Sequence, residues 1–415
     1  MPFMIDLNYL RDNQEKVTQL LNKKDPHFPV QQLVTLRDSV LSLQVRVESL
    51  RSEKNKLSKN AGPVTDSIRE QSIALGKQLK QAEKELGQAQ ESLEQLWLRC
   101  PNIAQEGVPE GNKESNKVVK TWGENKAFSF TPKHHLDLNK DADWFDLEVG
   151  TKMSGAQFVF YKEQGAKVLY ALTHLMLKNN AKHGFKPVIP PYLATEKSLY
   201  NSGNLPKFKG DFYEIEDESL CLIPTAEVSL TNVHAKEIIP GDQLPVRYTA
   251  WSSCFRKEAG GYGSSERGLI RIHQFEKVEL FALTKPEESD RELDRMVACA
   301  EDILQQLGLS YQISLLAGQD CSFCSAKTLD IEVWLPGQQK HYEVSSASNC
   351  TDFQARRAQI RYREEGMKKP QLVHTLNASS LALPRLMVAI MEQGQQEDGT
   401  IVLPPALQKI MDILW

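Results

Sequence analysis

The longest regular pattern in this chain is a heptad. Leu33, Leu36, Val40, Leu43, Val47, Leu50 and Leu57 recur at alternating steps of three and four, with Lys54 at the one position the apolar series skips. A second series runs through Ile68, Leu75, Leu79, Ala82, Leu86, Ala89, Leu93 and Leu96, with Ser72 in its gap. Such spacing holds one apolar seam on a helix face and predicts two helices packed along it. Ala61-Gly62-Pro63 breaks the pattern between them, so the pair should fold back as an antiparallel hairpin about 45 Å long. Cys100-Pro101-Asn102 ends the second helix, because proline cannot continue it. The expected arm covers about residues 31–98 of an N-terminal domain spanning 1–110. A coiled coil serving only dimerisation or spacing would show the same heptads.

Residues 103–135 are polar and read as a linker with short strands. Beyond residue 140 the pattern is mixed. A helix is expected over 163–183, ending at Gly184, and further helices over 287–307, 350–363 and 380–393. Apolar extended runs occupy 186–193, 219–223, 246–256, 269–282, 311–316, 328–334 and 341–346. Strand runs with helices beside them and no regular βαβ alternation predict an α+β domain, residues 111–415, with an antiparallel sheet flanked by helices.

Residues 255–280, FRKEAGGYGSSERGLIRIHQFEKVEL, read as a long hairpin with chemistry on one face. Strand side chains alternate, so Arg256 and Glu258 should share a face, and Arg271, Phe275 and Glu279 another such row, with Ile270, Ile272, Val278 and Leu280 opposite. An ordinary half-buried strand also puts polar residues outward. The glycine-rich connection with Arg267 suits a mobile flap over an anionic substrate.

Composition narrows the class. With 415 residues, 40% apolar and 25% charged, the chain is long enough for two or three domains with a sizeable core. No apolar run of about 18 residues exists and the N-terminus resembles neither a signal nor a transit peptide, so no membrane partner and a cytoplasmic location are expected. Seven scattered cysteines suit reduced thiols. Cys321 and Cys324 form a lone CxxC, and His134 and His135 lack the spacing of a helical metal pair; no zinc is expected, and the two histidines are expected to be solvated loop residues. The net charge of −4 excludes a generally basic nucleic-acid binder. One local patch stands out: Arg46, Arg51, Lys54, Lys56 and Lys59 against only Glu48 and Glu53, near the arm's tip, where cations could grip phosphates.

These parts resemble the seryl-tRNA synthetases, a family of class II aminoacyl-tRNA synthetases of bacterial type, over nearly the whole chain. The resemblance rests on the helical arm and on three motifs: HGFKPVIPPYL, with Gly184, Phe185, Val188 and Pro191; FRKEAGGYGSSERGLIRIHQFEKVE; and TLNASSLALPRLMVAIMEQGQ, with Arg385. TAEV at 225–228, EVSSASNCTDFQARR at 343–357 and GNLPKF at 203–208 also match. The third motif departs from the family, with Ala378, Ser380 and Pro384 where many relatives have glycine, which could alter the pocket wall. Pro384 would suit a helix start.

The resemblance implies ATP-dependent activation of L-serine and its transfer to tRNA(Ser), and to tRNA(Sec) where a cell has one. It implies that Arg256 holds the α-phosphate and serine carboxylate and Arg385 the γ-phosphate, both as catalytic groups. Lys257, Glu258, Arg271 and Phe275 would complete the ATP site with Glu343, Val344, Ser345 and Ser346. Glu343 and Ser346 would hold Mg²⁺; their separation of three requires a bulge or strand end if they are to share a face. Thr225, Ala226, Glu227, Glu279, Asn377 and Ser379 would hold serine, with Thr225 and Glu227 sharing a strand face at i, i+2. Glu227 and Glu279 could alternatively be structural ion-pair partners. The arm would bind tRNA through its five cations, the first motif would build a homodimer, and no room remains for an editing domain. Three rivals remain: an amino-acid:carrier-protein ligase, which the arm disfavours; a non-catalytic synthetase-like RNA-binding protein, which Arg256, Glu279, Glu343 and Arg385 disfavour; and a different class II specificity, which TAEV and HQFEKVE disfavour.

Overall fold

The computed structural model describes residues 6–59, 65–216, 218–258 and 267–415. The Ala61-Gly62-Pro63 break and most of the glycine-rich flap lie outside them. The described residues divide into two compact units, one up to Pro101 and one from Asn102 onward.

The first unit is helical throughout. Two short helices, α1 (Leu7–Asp12) and α2 (Gln14–Asn22), precede the long α3 (Val30–Lys59) and α4 (Asp66–Leu98). The heptads do what their spacing predicts: Val47, Leu50 and Ala82 are buried in the seam, with Leu75, Leu79 and Leu86 against them. Lys54, which interrupts the first series, sits opposite Gly76, where a Cβ would be 4.0 Å from its Nζ. Thr65 caps α4, accepting from the Ile68 amide.

The second unit is built on an eight-stranded sheet. Its strands, in chain order, are β1 (Lys117–Trp122), β2 (Lys186–Pro187), β3 (Val246–Phe255), β4 (Gln274–Thr284), β5 (Tyr311–Leu315), β6 (Lys327–Leu335), β7 (Lys340–Asn349) and β8 (His374–Ala382). They lie in the order β1-β5-β6-β7-β8-β4-β3-β2, antiparallel except for the short β2 beside β3. The polar stretch expected to be a linker thus supplies an edge strand, β1. The central β8 was not among the expected runs, because HTLNASSLA has few β-branched or aromatic residues. The segment expected as a helix over 350–363 forms only the short helix Phe353–Ala358, stopped by Gln359 in the left-handed region, φ 60°.

One face of the sheet is covered by the helices Glu163–Lys182, Ser289–Gln306 and Leu383–Gly394. Val278, Leu280 and Ala282 of β4 join that core together with Val344, Ala347 and Ala378. The alternate residues of β4 face the other way, where Phe281 and Leu283 pack with Ala226 and Ala250. Between these apolar ends, Phe275, Lys277 and Glu279 face a cavity. Among the described residues, no helix is long and apolar enough to cross a membrane.

His135 corrects its sequence expectation. It is fully buried at the start of the helix His135–Ala142, with Nδ1 3.3 Å from Glu392 of the helix Leu383–Gly394 and Nε2 accepting the Leu269 amide at 3.4 Å. His134, half-buried, caps the same helix by accepting from the Leu136 amide. Neither is a solvated loop residue.

Candidate active site

Two bulges set the floor of the cavity. In β7, Glu343 and Ser345 oppose consecutive residues of β6, so Val344 is the extra residue. In β8, Ser379 opposes Glu279 and Leu381 opposes Val278, leaving Ser380 extra. A bulge resets which side chains face which way. The first therefore brings Glu343 and Ser346 to one cavity of about 410 Å³, as their spacing required.

At one end of that cavity lies a closed polar relay. Thr225 Oγ1 accepts from Lys277 Nζ at 2.7 Å and donates to Glu279 Oε2 at 2.8 Å. Lys277 also pairs directly with Glu279, and all three residues are buried. Thr225 and Glu227 do not share a strand: Thr225 caps the short helix Ala226–Thr231, accepting from the Glu227 amide at 3.2 Å, and Glu227 stands in its first turn. The i, i+2 spacing still brings both to the cavity because a cap residue and the helix's second residue lie on the same end. Glu227 Oε1 accepts from Gln354 at 2.6 Å and from Asn377 at 3.1 Å. Burial pushes its carboxyl up to about 8, and the neighbouring Cys324 and Glu279 push the same way.

Three arginines line the same cavity. Arg256 lies just beyond β3, with Nε donating to the Pro224 carbonyl at 3.2 Å and its guanidinium 5.2 Å from the Phe275 ring centre. Arg271 pairs with Glu258 at 2.6 Å. Both lie outside the strands, since β3 ends at Phe255, β4 begins at Gln274, and Glu258 turns the chain at φ 51°. The long two-faced hairpin expected over 255–280 is therefore shorter, and Arg271 reaches the cavity from a turn rather than by strand alternation. Ile270 and Ile272 line the cavity too, although the alternation put them opposite. Arg385, in the first turn of the helix Leu383–Gly394, donates to the Glu343 carbonyl at 3.0 Å and pairs with its carboxylate at 3.1 Å. Pro384 beside it begins the helix, as expected.

Glu343 and Ser346 offer oxygen, the donor type that magnesium takes. Asp330 strengthens that fit: its Oδ1 is buried with no hydrogen-bond partner among the described residues, and burial and the Glu343 charge hold its carboxyl well above the usual range. An orphaned acceptor beside a second carboxylate suits a hard cation.

Not every expected side chain is at the site. Ala226 and Val344 are in apolar cores, Ser345 is buried against the Ser379 carbonyl, and Lys257 lies over the Tyr213 ring. Ala378 is likewise core, and Ser380 donates to Asn180 at 3.0 Å, so of the three departures in the third motif only Pro384 touches the cavity. Lys277 was missed, although it lies two positions before Glu279 on the same face. In the arm, Arg46 and Arg51 pair with Glu85 and Glu83 of the facing helix at 3.2 and 2.8 Å. The positive patch is thus partly neutralised by residues that a count along one helix does not see.

An antiparallel floor that gathers three arginines and an enclosed carboxylate relay in one cavity fits a class II aminoacyl-tRNA synthetase core. Residues 208–394 match the family described as tRNA synthetase class II core domain (G, H, P, S and T), and residues 4–104 match the seryl-tRNA synthetase N-terminal domain. The chain is 42% identical to a serine–tRNA ligase of Chlamydia abortus, over 99% of this chain and 98% of that one. It is 44% identical to another from Desulfotalea psychrophila, over 98% of each. Its fold superposes on a seryl-tRNA synthetase from Pyrococcus horikoshii complexed with ATP with a TM-score of 0.92, at 34% identity, covering 99% and 98% of the two chains. The chain belongs to the seryl-tRNA synthetase family.

Proposed function

We propose that this chain is a serine–tRNA ligase: it joins L-serine to AMP with release of pyrophosphate, then passes the seryl group to tRNA(Ser), and to tRNA(Sec) in cells that have one. The observation that carries the reading is the relay Lys277–Thr225–Glu279, a buried set of polar groups at the amino-acid end of a cavity that three arginines also line.

The serine hydroxyl meets Glu279, with Ser379 at its side, while Glu227, Thr225 and Asn377 hold the α-ammonium. Arg256 holds the serine carboxylate and the α-phosphate together, where a planar fork serves two anionic oxygens better than an ammonium could. The carboxylate oxygen then attacks the α-phosphorus, and pyrophosphate leaves as the bond opposite breaks. Phe275 stacks on adenine, Glu258 accepts its amino group, Arg271 supports the ATP side, and Arg385 receives the γ-phosphate. Mg²⁺ on Glu343 and Ser346 would neutralise phosphate charge. Positioning and charge neutralisation suffice for both steps, so no protein nucleophile is required.

The heptad arm serves tRNA through Lys54, Lys56, Lys59, Arg46 and Arg51; the working form is a cytoplasmic homodimer. ATP–pyrophosphate exchange with serine, alanine, glycine, cysteine and threonine tests the first half-reaction, and charging of total tRNA the second. Absence of serine-dependent exchange would sink the reading, and exchange without charging would favour a carrier-protein ligase.

A further inference from the structure

We propose that Glu227, Cys324 and Cys350 bind one thiophilic divalent cation of the zinc type, and that this cation excludes serine. The second half rests on the serine-site reading above; the first does not.

The partner of Cys324 is not its CxxC neighbour Cys321 but Cys350, at the end of β7. The two Sγ atoms lie 3.8 Å apart. Two thiolates bound to one tetrahedral zinc at about 2.3 Å would stand about 3.8 Å from each other. A carboxylate oxygen of Glu227 completes the group, all three ligand atoms lying within 4.8 Å of one another. Two sulfurs and one oxygen favour a soft ion over magnesium, which takes an all-oxygen set.

The arrangement is held from outside the ligands. Asn102 Nδ2 donates at 2.8 Å to the carbonyls of both Cys324 and Cys350, tying together two segments far apart in sequence. Asn377 donates both to Glu227 Oε1 and, at 3.4 Å, to Cys350 Sγ. Hydrogen bonds of this kind orient ligands before an ion arrives. Cys350 is buried, while Cys324 and Glu227 line a second cavity of about 500 Å³ that opens beside the first, so an ion has an entry path. The other cluster of suitable residues, His134, His135 and Glu392, has no such capacity, because both ring nitrogens of His135 are already engaged.

Binding would release the thiol protons and leave Glu227 ligated. Serine reaches the site as an ammonium, which has no lone pair to offer a metal and needs that same carboxylate as its counter-charge. Cation and amino acid therefore compete.

The test uses the full-length protein with zinc chloride alone. Equilibrium dialysis should give one zinc per chain, lost in Cys324→Ser, and cobalt in its place should show a thiolate charge-transfer band. Because that variant could fail to fold, the wild-type protein is also alkylated with iodoacetamide: zinc should protect Cys324 and Cys350 together, with little effect on the other cysteines. In exchange assays, zinc at about ten times its dissociation constant should raise the apparent KM for serine about tenfold and leave that for ATP unchanged. No protection of the thiol pair overturns the site. Inhibition that serine does not relieve, or exchange that requires zinc, overturns the competition. Chelated enzyme without serine-dependent exchange would instead sink the functional reading while leaving the dialysis and alkylation results to stand on their own.

Discussion

Glu279 Oε2 accepts the Thr225 hydroxyl at 2.8 Å, and both residues are buried, Glu279 to 1% exposure. A strand residue and a helix cap, 54 positions apart, thus share one proton-donor relation at the amino-acid end of the cavity. A buried carboxylate so placed has capacity for one more donor, and a hydroxyl suits it. Glu279→Ala should therefore lower kcat/KM for serine about 10³-fold or more, while barely changing the weak use of alanine. If both amino acids lose equally, Glu279 is a structural ion-pair partner of Lys277 and the hydroxyl is read elsewhere.

Arg385 and Glu343 are each assigned to ATP, one to the γ-phosphate and one to magnesium, yet they pair with each other at 3.1 Å. Bound nucleotide would insert between them. Arg385→Lys keeps the charge but loses the fork, so kcat/KM for ATP should fall about 10²-fold with the KM for serine unchanged. Steady-state exchange with each substrate varied in turn checks it; an equal loss for serine would mean that Arg385 only shapes the floor.

Much of this site was legible because chemistry followed simple spacing. Heptads located the arm, and the three-residue gap between Glu343 and Ser346 demanded the bulge found at Val344. What escaped depended on partners distant in the chain. The pairing of Lys277 with Thr225 and of Cys324 with Cys350 follows from tertiary packing, which no local period reports, whereas Thr225 as a helix cap, bonded to the amide two residues on, was hidden by reading the segment as a strand. The central strand β8 escaped for a different reason: buried on both sides by larger neighbours, it uses small residues whose intrinsic strand preference is weak.

His135 links three segments through its ring, meeting Glu392 and the Leu269 amide at the turn that leads into Arg271. Gly268 allows that approach, since a Cβ there would come within 2.3 Å of His135 Nε2. His135→Ala leaves a cavity and an unsatisfied amide, and should cost about 2–4 kcal/mol in urea unfolding. A loss near zero would mean that the turn finds other support.

Acid should weaken the fold through His374. Burial holds its imidazole below the usual histidine range, with Asp352, Asp290 and Glu287 opposing and Arg356 assisting that effect. Its ring Nδ1 is 3.0 Å from Ser289 Oγ. A group whose pKa is lower folded than unfolded binds more protons when unfolded, so its contribution is present above the unfolded value near 6.5 and is lost as pH falls toward the folded one. Melting temperature should drop between pH 7 and 5, and His374→Gln should flatten that drop; an unchanged slope assigns the acid loss to other groups.

The arm makes the last prediction, because its cations are not equivalent. Arg46 and Arg51 already pair with Glu85 and Glu83, whereas Lys56 and Lys59 stand exposed in the last turn of α3. Phosphate contacts release counterions, so each lysine that makes one adds about one unit to the salt dependence of tRNA binding. Replacing Lys56 and Lys59 together with alanine should reduce that slope by about two and weaken binding at low salt most. Replacing Arg46 and Arg51 should change it less, since each is already partly neutralised by Glu85 or Glu83 and so releases fewer counterions on meeting a phosphate. Deleting residues 35–96 removes all of these cations, and because the catalytic residues belong to the other compact unit, serine-dependent exchange should persist while tRNA charging is lost. Loss of both activities would show that the arm supports the catalytic unit instead of serving tRNA.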